Sequence, residues 1–164
     1  MKRIVICDTG PLLHLSEANI IDLLRLAGEV IIPLVVAKEF EHNAPEIKLP
    51  DWVQVKDLDA THSKIATGWD KQIDAGEAAA IALTMQTQAD WLLSDDAKAR
   101  QFAVTLGLEV HGSIGLLLWG VAVGHVASRD EALNLLNALA SSSLWISDRV
   151  LHQAQLTIDK LFST

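Results

Sequence analysis

Short apolar runs alternate along the chain with longer segments of helical periodicity, and this alternation restricts the fold more than any other feature. The apolar runs are rich in β-branched residues and predict strands at residues 2–7, 30–32, 52–58, 91–94 and 108–111. The segments between them carry apolar residues at the spacing of helices that cover a sheet. Strands and helices in this order predict an α/β fold with a mainly parallel central sheet.

The helices are predicted from their periodicity and from residues that begin or end helices. Thr9 is predicted to cap a first helix that continues to Gly28, and Ser113 is predicted to cap a late one. Asp74 and Glu77 have the spacing of a capping box at the start of an alanine-rich helix. Further helices are predicted at residues 34–41, 60–73, 75–86, 96–106, 130–140 and 148–162.

Length and composition indicate one folded domain that lies in the cytoplasm. The chain has 164 residues, of which 50% are hydrophobic and 21% charged, and this balance excludes wholesale disorder. We expect a single domain over residues 1–164, with 126–164 as a C-terminal helical extension. The apolar stretch at 114–123 is shorter than the roughly 20 residues that span a bilayer. It predicts either a buried helix or a helix that faces a partner subunit, and the second reading suggests a homodimer.

The net charge and the cysteine content reduce the number of possible functions. The formal net charge is −8, which counts against a simple nucleic-acid binder, although bound divalent ions would neutralise several acids. The single cysteine, Cys7, excludes an intramolecular disulfide and a thiolate zinc site within one chain. The six histidines show no metal-binding spacing, and the chain contains neither a phosphate-binding glycine loop nor a serine-hydrolase elbow.

A set of acidic residues lies at the junctions between apolar runs and helices. The set consists of Asp8, Glu39, Glu77, Asp95 and Asp96. Asp8 and Asp95 directly follow predicted strands, and the carboxyl ends of parallel strands meet at the edge where such sheets bind ligands. Clusters of oxygen ligands hold Mg²⁺ or Mn²⁺, and these ions promote phosphodiester hydrolysis. The sequence therefore predicts a divalent-metal site at this edge.

Each acid also has an ordinary structural explanation. Asp8 suits a turn, Glu39 a solvated helix face, and Glu77 the capping box. Asp95 and Asp96 suit the start of the next helix. Together, however, such acids would repel one another, and a divalent cation would relieve that repulsion.

The sequence around these acids resembles the PIN-domain family. The resemblance rests on Asp-Thr-Gly-Pro-Leu at 8–12, Pro-Leu-Val-Val-Ala-Lys-Glu-Phe at 33–40, Asp-Ala-Gly-Glu-Ala-Ala-Ala-Ile-Ala-Leu at 74–83 and Leu-Leu-Ser-Asp-Asp-Ala-Lys-Ala-Arg at 92–100. It covers about residues 3–125, and residues 107–117 are similar to the next strand and helix of the VapC-like subgroup. The four segments in this order are specific together, whereas each alone is weak.

The resemblance implies a three-layer α/β/α sandwich with about five strands and a metal-dependent endoribonuclease that acts on single-stranded RNA. It implies an active site of Asp8, Glu39, Glu77 and one or both of Asp95 and Asp96. Asp8, Glu77, Asp95 and Asp96 are the candidate Mg²⁺ or Mn²⁺ ligands. It also implies a candidate role as the toxin of a toxin–antitoxin pair, with a small antitoxin protein as partner.

Two other readings and two further site residues complete the sequence-based predictions. The chain is alternatively a catalytically weak PIN-like module that binds RNA or a partner protein. A phosphatase on a doubly wound sheet is less favoured, because residues 8–12 lack an Asp-x-Asp motif. Thr9 and Ser113, at helix N-termini, are weak candidates for binding substrate phosphate through their backbone N–H groups.

Overall fold

The computed structural model describes residues 2–163, in which five short strands form one parallel sheet. The strands are β1 (Ile4–Cys7), β2 (Glu29–Pro33), β3 (Val53–Lys56), β4 (Trp91–Leu93) and β5 (Val110–His111). Their order is β3-β2-β1-β4-β5, and each neighbouring pair is parallel. β1 is central, because Val5 pairs with Val30 on one side and with Trp91 on the other. The predicted α/β fold is confirmed, and β3 and β5 lie at the two edges of the sheet.

Helices cover both faces of the sheet. They are α1 (Thr9–Glu17), α2 (Asp22–Ala27), α3 (Leu34–Asn43), α4 (Ala60–Thr67), α5 (Ala75–Thr87), α6 (Ala97–Thr105), α7 (Ser113–Ala122), α8 (Arg129–Ala140) and α9 (Asp148–Phe162). Alternate side chains of β1 point to opposite faces: Val5 and Cys7 join one core, and Ile6 joins the other. The predicted three-layer α/β/α arrangement follows from these two cores.

The core that contains Val5 also holds the C-terminal helices. Leu136 of α8 and Ile158 of α9 are fully buried in it, together with Leu116 and Leu117 of α7. The apolar stretch at 114–123 is therefore mostly a buried helix of its own chain, as one of the two sequence interpretations required. Within residues 2–163, none of the helices combines the length and the apolar character needed to cross a membrane.

Several predicted element boundaries were wrong. The first helix does not continue to Gly28 but stops at Glu17, and Asn19 then adopts a left-handed conformation with φ of 59°. Asparagine tolerates this conformation better than most residues, so the chain turns there before α2 begins. The helix predicted over 60–73 ends at Thr67, and turns occupy the residues that follow.

Two predicted helix caps were also wrong. Asp8, not Thr9, is the N-cap of α1, because its carboxylate accepts the Thr9 backbone N–H. Gly112, not Ser113, occupies the N-cap position of α7. The Ser113 hydroxyl is instead committed to Asp95, at 2.6 Å.

Candidate active site

A cavity of about 810 Å³ opens at the carboxyl ends of β1 and β4. Strand order reverses between these two strands, which is where open α/β sheets bind ligands. The acids that line the cavity are Asp8, Glu39, Asp74, Glu77, Asp95 and Asp96. The structure therefore brings all five sequence-predicted acids together and adds Asp74.

Asp8 is buried at the end of β1, where it also begins α1. One carboxylate oxygen accepts the Thr9 backbone N–H at 2.8 Å, and the other lies 3.3 Å from the Ser94 hydroxyl, which donates to it. Burial raises the pKa of Asp8 to about 7, against the opposing effect of the Thr9 hydrogen bond. The neighbouring carboxylates of Glu77, Asp74 and Glu39 make smaller contributions to this raised pKa. Without a cation, the site therefore disfavours the charged form of Asp8.

Glu39 reaches the same cavity from α3. Its Oε2 accepts a hydrogen bond from the Thr9 hydroxyl at 2.7 Å, which fixes the carboxylate beside Asp8. The N-terminus of α5 approaches Glu39 closely at Gly76, where an added Cβ would lie 2.3 Å from Oε2. Any larger residue at position 76 would displace the carboxylate, so the glycine is part of the construction of the site.

Glu77 is held by the predicted capping box, which the structure confirms. The Glu77 backbone N–H donates to Asp74 at 2.8 Å, and the Asp74 backbone N–H donates to Glu77 Oε1 at 3.1 Å. Partial burial raises the pKa of Glu77, and the carboxylates of Asp74, Asp96 and Glu39 add to the increase, whereas the Asp74 N–H opposes it. Capping thus orients Glu77 without removing it from the acidic cluster.

Asp95 and Asp96 have different surroundings. Asp95 accepts hydrogen bonds from the Ser113 backbone N–H, the Ser113 hydroxyl and His14 Nδ1, each at 2.6 Å. Burial alone would raise the pKa of Asp95, but the bonds from His14 and Ser113 outweigh it and hold the pKa below its usual range. Asp96 is exposed and caps α6 through one oxygen, which accepts the Ala99 N–H at 2.8 Å.

The contacts of Thr9 and Ser113 leave no free N–H group for a phosphate. The Thr9 N–H is bonded to Asp8, and the Ser113 N–H is bonded to Asp95. Ser113 is moreover fully buried. The acids thus occupy the donors through which Thr9 and Ser113 were predicted to bind a substrate phosphate, and that role stays a prediction.

Sequence reasoning gave no site role to His14 and Trp145, which line the cavity, or to Gly76, which lies against Glu39. The histidines showed no metal-binding spacing, yet His14 lines the cavity and bonds to Asp95 across 81 positions of sequence. Arg100 lines the cavity and donates to the Ser94 carbonyl at 3.2 Å. Gly76 lies in the segment 74–83, but its contact with Glu39 was not predicted. The one available signal for Trp145 was its position two residues after a run of three serines.

The donor set suits a hard divalent cation by its chemistry. The cavity offers carboxylate oxygens, which Mg²⁺ and Mn²⁺ prefer. Burial, and to a smaller extent repulsion among the carboxylates, raises the pKa values of Asp8 and Glu77, and a cation would relieve the repulsion. Within residues 2–163, no group of three or more histidine, cysteine, aspartate or glutamate side chains is already arranged to hold a metal ion. The donors fit a divalent cation, and their carboxylates must move together to bind it.

Fold and site together define an α/β protein with an acid-lined cavity at the switch point of a parallel sheet. The chain belongs to the PIN-domain family, because a family model described as a PIN domain matches residues 4–159. Proteins with this domain are typically nucleases that bind nucleic acid and generally use divalent metal ions. A search of curated proteins gives no match to the chain.

Proposed function

We propose that this protein is a Mg²⁺- or Mn²⁺-dependent endoribonuclease of the VapC-like subgroup that hydrolyses phosphodiester bonds in single-stranded RNA. The observation that carries the proposal is the convergence of Asp8, Glu39, Glu77 and Asp96 on one cavity at the carboxyl edge of the sheet. These acids come from four different elements, so their meeting is a product of the fold and not of sequence proximity.

The contacts favour Asp8, Glu77 and Asp96 as metal ligands. Glu77 and Asp96 each have one oxygen that accepts no hydrogen bond among the described residues, and the second oxygen of Asp8 accepts only the Ser94 hydroxyl, at 3.3 Å. Each of the three lies at a helix N-terminus that fixes its position. A bound divalent ion supplies Lewis-acid stabilisation of phosphoryl charge and activation of water. Asp95, whose two oxygens accept three short hydrogen bonds of 2.6 Å, is proposed as a positioning residue that joins β4 to α1 and α7.

Glu39 is proposed as the acceptor of a proton from the attacking water. The Thr9 hydroxyl holds its Oε2, while Oε1 accepts no hydrogen bond within residues 2–163. A carboxylate that is fixed through one oxygen and open at the other can take a proton without losing its position.

One assay tests the nuclease proposal. Wild type, Asp8→Asn, Asp96→Asn and Asp95→Asn are each incubated with end-labelled RNA of mixed sequence and Mg²⁺ or Mn²⁺. We expect cleavage by wild type that EDTA abolishes, a loss of at least roughly 100-fold in Asp8→Asn and Asp96→Asn, and thermal melting near wild type for Asp96→Asn. The absence of metal-dependent cleavage across varied RNA sequences would overturn the proposal, and equal cleavage by Asp8→Asn would indicate a contaminating nuclease.

A second candidate function is a PIN-like module that binds RNA or a partner protein without appreciable catalysis. The net charge of −8 favours it. So does Gly10, which stands where the resemblance leads us to expect a hydroxyl residue. A Cβ at Gly10 would lie 3.6 Å from the Asp95 Cβ, an ordinary contact, so Gly10→Ser fits the site. Cleavage that appears only in Gly10→Ser would favour this second candidate.

We also propose three properties of the whole protein. First, residues 1–164 form a single domain, with 126–164 as a C-terminal helical extension. Second, the protein is a homodimer in solution, and third, it is a toxin with a small antitoxin partner. Burial of α8 and α9 in the main core supports the first of these. Light scattering at micromolar concentration tests the second, since a monomer would contradict it. Growth arrest on expression, absent in Asp8→Asn, tests the third.

A further inference from the structure

Trp145 is the most exposed large apolar side chain described, and it stands at the acidic cavity. Its exposed fraction is 84%, whereas Trp91 is buried and Trp52, Trp69 and Trp119 are at least half covered. Trp145 lines the cavity, and tryptophan is enriched at binding interfaces, where its apolar ring meets a ligand or partner.

The loop that carries Trp145 is fastened to the body of the protein. The Ser143 backbone N–H donates to Glu17 Oε1 at 3.1 Å, and the Ser143 hydroxyl bonds to the same oxygen. The Leu144 N–H donates to the Ser142 hydroxyl at 3.2 Å. On the other side, Ile146 packs against the main core. The indole therefore projects from a fixed backbone and offers a preorganised surface.

The cavity beside the indole has little positive charge for a phosphate backbone. Its wall carries six carboxylates, whereas Arg100 and His14 are its basic side chains, and both already bond to Ser94 or Asp95. A divalent ion would attract the phosphate to be cleaved but would not hold the rest of the strand. The base of a nucleotide is neutral and presents a flat π-face, which an aromatic side chain binds without any positive charge.

We propose that Trp145 is a stacking platform for an unpaired nucleobase of the substrate next to the scissile phosphate. The inference rests on the proposed function, because it takes RNA as the bound polymer. The cavity volume of about 810 Å³ lies within the range of sites that hold one small ligand. Duplex RNA buries its base faces in its own stack, so this contact selects single-stranded substrate.

Binding is measured separately from cleavage, in an Asp8→Asn background with Mg²⁺ present. The probes are a fluorescent single-stranded RNA of mixed sequence, an abasic ribose-phosphate strand of equal length, and the same RNA as a duplex. Fluorescence anisotropy compares Trp145 with Trp145→Ala, Trp145→Phe and the control Val55→Ala, an exposed apolar residue on β3 outside the cavity. Because Trp145 is exposed, its truncation should leave thermal melting unchanged.

We expect Trp145→Ala to weaken binding of the base-containing strand roughly 5- to 100-fold and to leave the abasic strand and the duplex unaffected. Trp145→Phe should keep most of the affinity. Equal affinity of Trp145 and Trp145→Ala for the base-containing strand would overturn the proposal, as would an equal loss for the abasic strand. Self-association that Trp145→Ala abolishes would overturn it in favour of a protein contact.

The outcomes separate this inference from the nuclease proposal. If Trp145 contributes base-dependent binding but the protein never cleaves RNA, the nuclease proposal is wrong and the stacking proposal stands. If the wild type cleaves RNA but Trp145→Ala binds RNA as tightly as wild type, the stacking proposal is wrong and the nuclease proposal stands.

Discussion

Asp8 couples the stability of the protein to pH. Burial, with the nearby carboxylates, raises its pKa to about 7. An aspartate whose pKa is higher in the folded than in the unfolded protein stabilises the fold fully at pH below its unfolded value, and that contribution is lost as pH rises towards the folded value. In EDTA, we expect the free energy of unfolding to fall between about pH 4 and pH 7, by up to about 4 kcal/mol from Asp8.

Urea titrations of wild type and Asp8→Asn measure this effect. The variant should lack most of the decline and should be the more stable protein at pH 8 in EDTA. Millimolar Mg²⁺ or Mn²⁺ should stabilise wild type at pH 8 more than the variant, because the variant lacks the Asp8 carboxylate. Parallel pH profiles for the two proteins would show that Asp8 does not carry the coupling.

At Gly76, a residue that would stabilise helix α5 would also disturb the site. Alanine within a helix usually stabilises a protein by about 0.5–1 kcal/mol relative to glycine. At position 76, however, the new Cβ would meet Glu39 Oε2 at 2.3 Å. We expect Gly76→Ala to reduce RNA cleavage at least roughly tenfold, whereas Gly115→Ala, whose Cβ would make only ordinary contact with His111 at 3.8 Å, should not. Matched cleavage rates for the two variants would refute this role for Gly76.

At the scale of the element, α8 tests whether the C-terminal helices fold with the sheet. Leu136 is fully buried in the core that also contains Val5 of β1. Truncation to alanine leaves a cavity in such a core, so we expect Leu136→Ala to lower the free energy of unfolding by about 2–5 kcal/mol. Urea unfolding should remain one transition by both tryptophan fluorescence and circular dichroism. The exposed Asn134→Ala, on the same helix, is the control, and two separate transitions in wild type would mean that α8 and α9 fold independently.

The elements that were predicted correctly are those whose sequence signals lie within a few neighbouring residues. The strand runs, the capping box of Asp74 and Glu77, and helix α9 at 148–162 all depend on local spacing. The break after α1 was missed because the leucine pattern continues across Asn19, whose conformation the pattern does not register.

The acids of the site were predictable as a set, because parallel strands bring their carboxyl ends to one edge. Their individual contacts were not predictable. The bond from His14 to Asp95 joins residues 81 positions apart, and the bonds from Ser113 join residues 18 positions apart. Only the packed fold brings such residues together, and it is these bonds that distinguish Asp95 from Asp96.

At the scale of the whole molecule, the charge of −8 predicts weak salt dependence of RNA binding. The logarithm of the binding constant falls linearly with the logarithm of the salt concentration, and the slope is proportional to the number of phosphates that the protein neutralises. With few basic side chains at the cavity, we expect affinity for single-stranded RNA to fall less than about tenfold between 50 and 200 mM KCl at fixed Mg²⁺. Anisotropy titrations with the Asp8→Asn protein measure the slope, and a steep decline would reveal a basic binding surface away from the cavity.

The reactivity of the single cysteine can report how often the centre of the sheet opens. Cys7 is fully buried in the central strand, next to Asp8, and burial together with the charges of Asp8 and Asp95 raises the pKa of its thiol. A thiol reagent reaches it only when the middle of the sheet opens, so the rate of alkylation in the native protein counts those rare openings. Comparing alkylation rates with and without Mg²⁺ would therefore show whether a cation at the neighbouring carboxylates makes these openings rarer.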